Sequence, residues 1–154
     1  MKTAEANFHF PVLGFTPDKE IWGFTDLNRL TRCGPRTLKN DLQIGMELID
    51  ANGRRWIVRD VQRTGRPGAL LPWLMSTLLT ASAQSRIEHE LDPLEPVSLK
   101  EAQERACAAM EAFEEDYIGE SREKDFLPLL AKVKRTKKIA DIYKRLQPDT
   151  FEGY

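Results

Sequence analysis

Residues 45–63, GMELIDANGRRWIVRDVQR, constrain the fold more than any other stretch of this chain. Two runs rich in strand formers, MELI and RWIV, flank Ala51-Asn52-Gly53-Arg54. Asn-Gly in such a loop supplies the positive φ angles of a type I′ turn, whose twist suits antiparallel strands. Read as a two-residue loop, Asn52-Gly53 places Ile49 opposite Trp56, Leu48 opposite Ile57 and Asp50 opposite Arg55, all favourable cross-strand pairs. Ile49, Trp56 and Val58 then share one face, and Met46, Leu48, Ile57 and Val61 the other. Apolar residues on both faces belong in the middle of a sheet or in a small, strongly curved barrel.

Around this hairpin the first half of the chain reads as β-rich. Residues 7–15 alternate Phe8, Phe10 and Val12 with His9 and Leu13, a first strand in which Pro11 favours an edge or a bulge. Residues 18–24, with Ile21, Trp22 and Phe24, form a second short strand. Residues 27–39 hold a turn or short helix, then a helical turn opened by Pro35, since proline suits a first helical position. Residues 70–80 are too apolar for periodicity to separate a short buried helix from a mobile loop. Ile87, His89 and Leu91 alternate with Arg86, Glu88 and Glu90, a strand that rejoins the sheet and is ended by the prolines of residues 92–96.

The second half changes character. Ser98 and Glu101 form a capping box, in which the serine hydroxyl accepts from the glutamate amide and the carboxylate reaches back. Behind it Leu99, Ala102, Ala106, Met110, Phe113 and Tyr117 make the apolar stripe of a long helix, with Gly119 as its stop. A shorter helix covers residues 126–133. A third covers residues 137–146, with Thr136 as its cap and Pro148 as its end. The fold expected is α+β: an N-terminal antiparallel sheet or small curved barrel with a central hairpin, packed against two to three C-terminal helices. A chain of 154 residues suits one domain, β-rich over residues 1–96 and helical over 97–148.

Charge narrows the function classes. With 23 basic and 24 acidic side chains the net charge is −1, so no global attraction to nucleic acid or anionic lipid is expected. The start of the chain lacks the marks of a signal peptide, and its most apolar run is too short to span a bilayer, so a cytoplasmic protein with no membrane association is expected. Neither the two histidines nor the two cysteines have metal-ligand spacing, and no glycine-rich phosphate loop is present, so no metal, cofactor or catalytic residue is assigned.

Three surfaces are candidates for binding. Glu111, Glu114, Glu115 and Asp116 cluster at one helix and suit a basic protein partner. Trp73, with Leu70, Leu71 and Leu74, is an apolar cluster that would anchor a partner, or a second copy of the chain, if exposed. Arg54, Arg55, Arg59 and Arg63 on the hairpin, and Lys132, Lys134, Arg135, Lys137 and Lys138 at a helix junction, are basic segments; with Trp56 interleaved they offer a nucleic-acid-binding module as one alternative, although the acidic helix offsets their charge. An alternative enzymatic reading uses Cys33, placed before Gly34-Pro35 where helix amides would lower its pKa, with His9 or His89 as base.

The order FPVLGF, LTRCGPRTLKN, GMELIDANGRRWIV, RIEHEL and VSLKEA resembles a group of small, mostly uncharacterised bacterial proteins. They have a β-rich front, a "TC…LKN" segment, a "D-x-x-G" hairpin and a helical tail opened by "SLEE"-like caps, and they look like stand-alone toxin-immunity or accessory proteins. Lys100 stands where such proteins often carry an acid. The resemblance implies a non-enzymatic partner-binding protein, with a toxin as the partner, and transfers no functional residue.

Overall fold

Six strands pair antiparallel into one curled half-barrel sheet in the computed structural model, which describes residues 1–65, 84–117 and 126–146. They are β1 (Val12–Phe15), β2 (Ile21–Phe24), β3 (Arg32–Cys33), β4 (Glu47–Ile49), β5 (Arg55–Gly65) and β6 (Ser85–Leu94), in the order β2-β1-β4-β5-β6-β3. Two short helices, α1 (Leu27–Leu30) and α2 (Pro35–Lys39), lie on either side of β3 in the chain. The helical tail supplies α3 (Leu99–Ala112), α4 (Phe126–Lys134) and α5 (Ile139–Arg145). The architecture is α+β, as expected.

Both faces of the sheet are buried, which explains the doubly apolar hairpin. Leu13, Phe15, Ile21 and Ile49 pack with Ala102, Ala106 and Met110 of α3, Leu130 and Val133 of α4, and Ile139 and Ile142 of α5. Val12, Trp22, Phe24, Met46, Leu48, Trp56, Val58 and Leu91 fill the other face. Glu47 marks the helical side: Arg105 of α3 donates to its carboxylate at 2.7 Å, and Arg55 lies 3.6 Å from the same oxygen.

The hairpin register differs by one residue from the sequence expectation. Leu48 pairs with Trp56 and Ile49 with Arg55, so Ile49 and Trp56 occupy opposite faces. The cause is the Asp50 side chain. Its Oδ1 accepts the amides of Asn52 (2.9 Å) and Arg54 (3.0 Å), folding the chain around the carboxylate. The Gly53 amide donates to the Asp50 carbonyl at 2.9 Å, and Gly53 alone takes a positive φ, +81°, while Asn52 does not. This is a type I turn followed by a left-handed glycine bulge, a three-residue loop in place of the two-residue type I′ turn. The added residue reverses the face that β5 presents to β4.

The same carboxylate shortens the first strand. Asp50 Oδ2 accepts the His9 amide at 3.1 Å and the His9 carbonyl accepts the Ala51 amide at 2.8 Å. Residues 7–10 are thereby tied to the turn rather than to a ladder, and β1 begins only at Val12. Phe8 meets Trp56 edge-on, with centroids 4.5 Å apart. Strand β6 in turn runs past the expected stop to Leu94. Pro93 pairs with Trp56 on the β5 side, while β3 reaches only Ser85 and Arg86, so the proline ring faces no ladder among the described residues.

The capping box forms as expected, with Glu101 N–H donating to Ser98 Oγ and Ser98 N–H to the Glu101 carboxylate. Helix α3 ends earlier than its stripe implied. Phe113 caps it, and Glu114–Tyr117 continue as a 3-10 turn that still buries Tyr117. Carboxylates at Glu111, Glu114, Glu115 and Asp116 oppose the negative end of the helix dipole there. Thr136 does not cap α5 with its side chain. Its hydroxyl donates to the Val133 carbonyl at 2.8 Å, and Lys138 is the N-cap residue. The apolar run with Trp73, Gly119 and Pro148 lie outside the described residues. Among those described, no helix is long and apolar enough to cross a membrane.

Candidate functional site: a basic cleft between the last two helices

The basic residues seen at a helix junction become a cleft of about 580 Å³. Lys132, Arg135 and Thr136 line one wall, Lys137 lies at the link, and Asp141, Lys144 and Arg145 line the other. Spacings of three and four bring each set onto one helical face. Their opposite sides are fixed by packing, because Val133, Ile139, Ile142 and Leu146 are buried in the core shared with α3. Gln103 of α3 pins the link by donating to both the Thr136 carbonyl and its hydroxyl oxygen, each at 3.0 Å. The cations also crowd the C-terminal turns of α4 and α5, where they complement the negative end of each helix dipole.

The electrostatics of the cleft are one-sided. Among the described residues, five exposed cations line the cleft with one carboxylate, Asp141, which is already 3.6 Å from Lys144. Among the described residues no carboxylate pairs with Arg135, Lys137 or Arg145. A concave wall of like charge focuses its field into the cavity. Among the described residues no apolar or aromatic side chain lines it.

The acidic group lies elsewhere on the helical tail. Glu111, Glu114, Glu115 and Asp116 are all exposed, on the last turn of α3 and the 3-10 turn after it. Met110 and Tyr117 are buried at either end of this ridge, which holds the carboxylates on a firm base. Trp73, the other expected anchor, falls outside the described residues. Among the described residues no cluster of three His, Cys, Asp or Glu side chains could hold a metal ion.

The thiol expectation is corrected. Cys33 sits in β3, only 2% exposed, and burial pushes its pKa up rather than down, although Arg63 opposes the rise. Cys33 pairs with Ser85, and His89 lies four residues further along β6, roughly 13 Å away at strand spacing. His89 is itself fully engaged. Its Nε2 lies 2.9 Å from Gln43 Oε1, which only accepts, so Nε2 carries the proton and Nδ1 accepts from the Thr3 hydroxyl at 3.1 Å. His9 is held at the β4–β5 turn, where Arg54 Nη2 donates to its Nδ1 at 2.8 Å. The 3.6 Å separation of that nitrogen from Asp50 is too long for a hydrogen bond.

His89 gives the fold a pH dependence. Burial lowers its pKa from 6.5 to about 4. The unfolded chain therefore takes up the proton first as pH falls. The stabilisation is complete above about pH 6.5 and is lost progressively down to about pH 4, on the order of 3 kcal/mol in all. Urea midpoints at pH 7.5, 6 and 5 should fall stepwise for the parent, and less steeply for His89→Gln. Equal midpoints at pH 7.5 and 5 in the parent would refute the assignment.

No family model matches this chain, and no match is found among curated proteins or solved structures.

Sequence reasoning noted the lysines and arginines of residues 132–138 but missed Asp141, Lys144 and Arg145. The available signal was their i, i+3, i+4 spacing on a helix joined by a short link to the first basic face.

Proposed function

We propose that this chain is a non-enzymatic cytoplasmic interaction protein that binds another protein, of the toxin-neutralising kind to which its sequence order bears a resemblance. The observation that supports this reading is the acidic ridge of Glu111, Glu114, Glu115 and Asp116, exposed and flanked by buried Met110 and Tyr117. Carboxylates on a fixed ridge attract a basic partner over distance and select its docking orientation without a large loss of side-chain and backbone freedom. A nuclease-like toxin, which must itself bind phosphate backbones, has the complementary charge.

The test is affinity capture from native lysate with the tagged chain, beside the triple variant Glu111→Lys/Glu114→Lys/Glu115→Lys. A stoichiometric protein partner should be retained by the parent, released by moderate salt and absent from the variant. All three substituted positions are exposed, so the variant should melt within a few degrees of the parent. Recovery of no partner, or equal recovery by both proteins, would reject the reading. Light scattering on the purified chain separates self-association from capture of a different protein.

A further inference from the structure

We propose that the basic cleft between α4 and α5 is a binding site for a compact anion carrying two or more phosphate groups. Three features of the cleft select this chemistry. Its volume, about 580 Å³, falls within the range of small-molecule sites. Its walls each carry an arginine, Arg135 and Arg145, whose planar forks match the paired oxygens of a phosphate, and lysines supply point charges around them. Finally, among the described residues the lining holds no apolar or aromatic side chain. A peptide docks mainly through buried aromatic and aliphatic anchors, and a nucleobase through stacking; the described lining residues offer no aromatic or aliphatic residue for either. The side chains it presents select for charge density, and a chain of phosphates concentrates more charge in this volume than a run of carboxylates does.

The local structure suits such a ligand. Thr136 is held by Gln103 and Val133, so the link between the walls stays in place while the long basic side chains close on the anion. Asp141 is paired with Lys144, which leaves Arg135, Lys137 and Arg145 to meet the ligand. The site is separate from the acidic ridge, and it stands or falls independently of the protein partner proposed above.

The experiment is isothermal titration of the whole chain with inorganic tripolyphosphate at low ionic strength, with a penta-glutamate peptide as comparison. Tripolyphosphate should bind one to one, with affinity falling as salt rises, and penta-glutamate about tenfold more weakly or not at all. Arg135→Gln/Arg145→Gln should weaken tripolyphosphate about tenfold or more, since each arginine contributes charge-assisted bonds. Arg59→Gln/Arg63→Gln on β5 removes the same charge elsewhere and should leave the affinity unchanged. Amide chemical shifts recorded during the titration should move within residues 132–145, which tests the location without any variant. Binding by the cleft variant within twofold of the parent would overturn the proposal. So would glutamate binding as tight as tripolyphosphate, shift changes centred on β5, or no binding to the parent.

Discussion

Gly53→Val is expected to lower the melting temperature by roughly 10 °C or more, and Gly53→Ala to cost nearly as much. Two effects add at this position. Its φ of +81° strains any side-chain-bearing residue by about 1–2 kcal/mol. A Cβ there would also stand 2.4 Å from the Val97 carbonyl oxygen and 3.3 Å from Ile139 Cδ1. The first of these neighbours is backbone, and the Val97 amide is itself bonded to the Gly53 carbonyl at 2.9 Å, so the strand-to-helix connection must shift to make room. Overpacking of this kind costs about 1–3 kcal/mol more. Because the obstruction begins at Cβ, alanine does not escape it. Asn52→Ala, by contrast, should change stability by less than about 1 kcal/mol, because Asn52 is exposed and takes no positive φ. Glu114→Ala on the exposed ridge serves as a surface control. Thermal denaturation of the four variants beside the parent decides the matter. If Asn52→Ala were as damaging as Gly53→Ala, the turn would be type I′ and the observed register would be wrong.

That contrast shows which parts of the fold are legible in sequence. Signals carried by neighbouring residues were readable. The alternation of Ile87, His89 and Leu91 gave the buried face of β6, and Ser98 with Glu101 gave the start of α3. The presence of the hairpin was equally local, but its register was not. Asn-Gly suits either turn, and the choice follows from where the Asp50 carboxylate points, which depends on His9 forty-one residues away. The early end of α3 shows the same limit from another side. The apolar stripe continues through Phe113 to Tyr117, and both still contact the core, but a 3-10 turn delivers Tyr117 as well as a helix would.

The candidate sites divide along the same line. Each basic face could be found from spacing along one helix. Their opposition across a cleft is tertiary, set by Val133, Ile139 and Ile142 packing beneath the link. Cys33 failed for the converse reason. Its proximity to Gly34-Pro35 suggested helix amides, yet α2 is only one short turn and β3 buries the thiol against β6, so desolvation outweighs the amides.

The second large effect is expected at Asp50, which is fully buried and has four hydrogen-bond donors around its carboxylate. Oδ1 accepts from the Asn52 and Arg54 amides, and Oδ2 from the His9 amide and Arg54 Nε at 2.9 Å. Asp50→Ala removes every one of these acceptors and leaves three amides and a guanidinium to find water. Breaking one partner of a buried ion pair costs about 3–5 kcal/mol. Asp50→Asn should cost less, because the amide keeps one acceptor oxygen but turns a donor toward the remaining N–H groups. Arg54→Ala should cost least. Its side chain is 38% exposed, and the backbone amides continue to satisfy the carboxylate. Denaturant unfolding should therefore rank the variants Asp50→Ala, Asp50→Asn, Arg54→Ala, from most to least damaging. A local readout distinguishes this mechanism from general weakening. Residues 7–10 hang on Asp50, and Phe8 packs on Trp56, over which Arg54 also lies at 5.2 Å. Losing the carboxylate should free that segment and expose one face of Trp56, moving tryptophan emission to the red under conditions where the variant is still folded. Unchanged emission together with a stability loss below about 1 kcal/mol would mean that Asp50 does not hold the turn, and that another interaction sets the hairpin register.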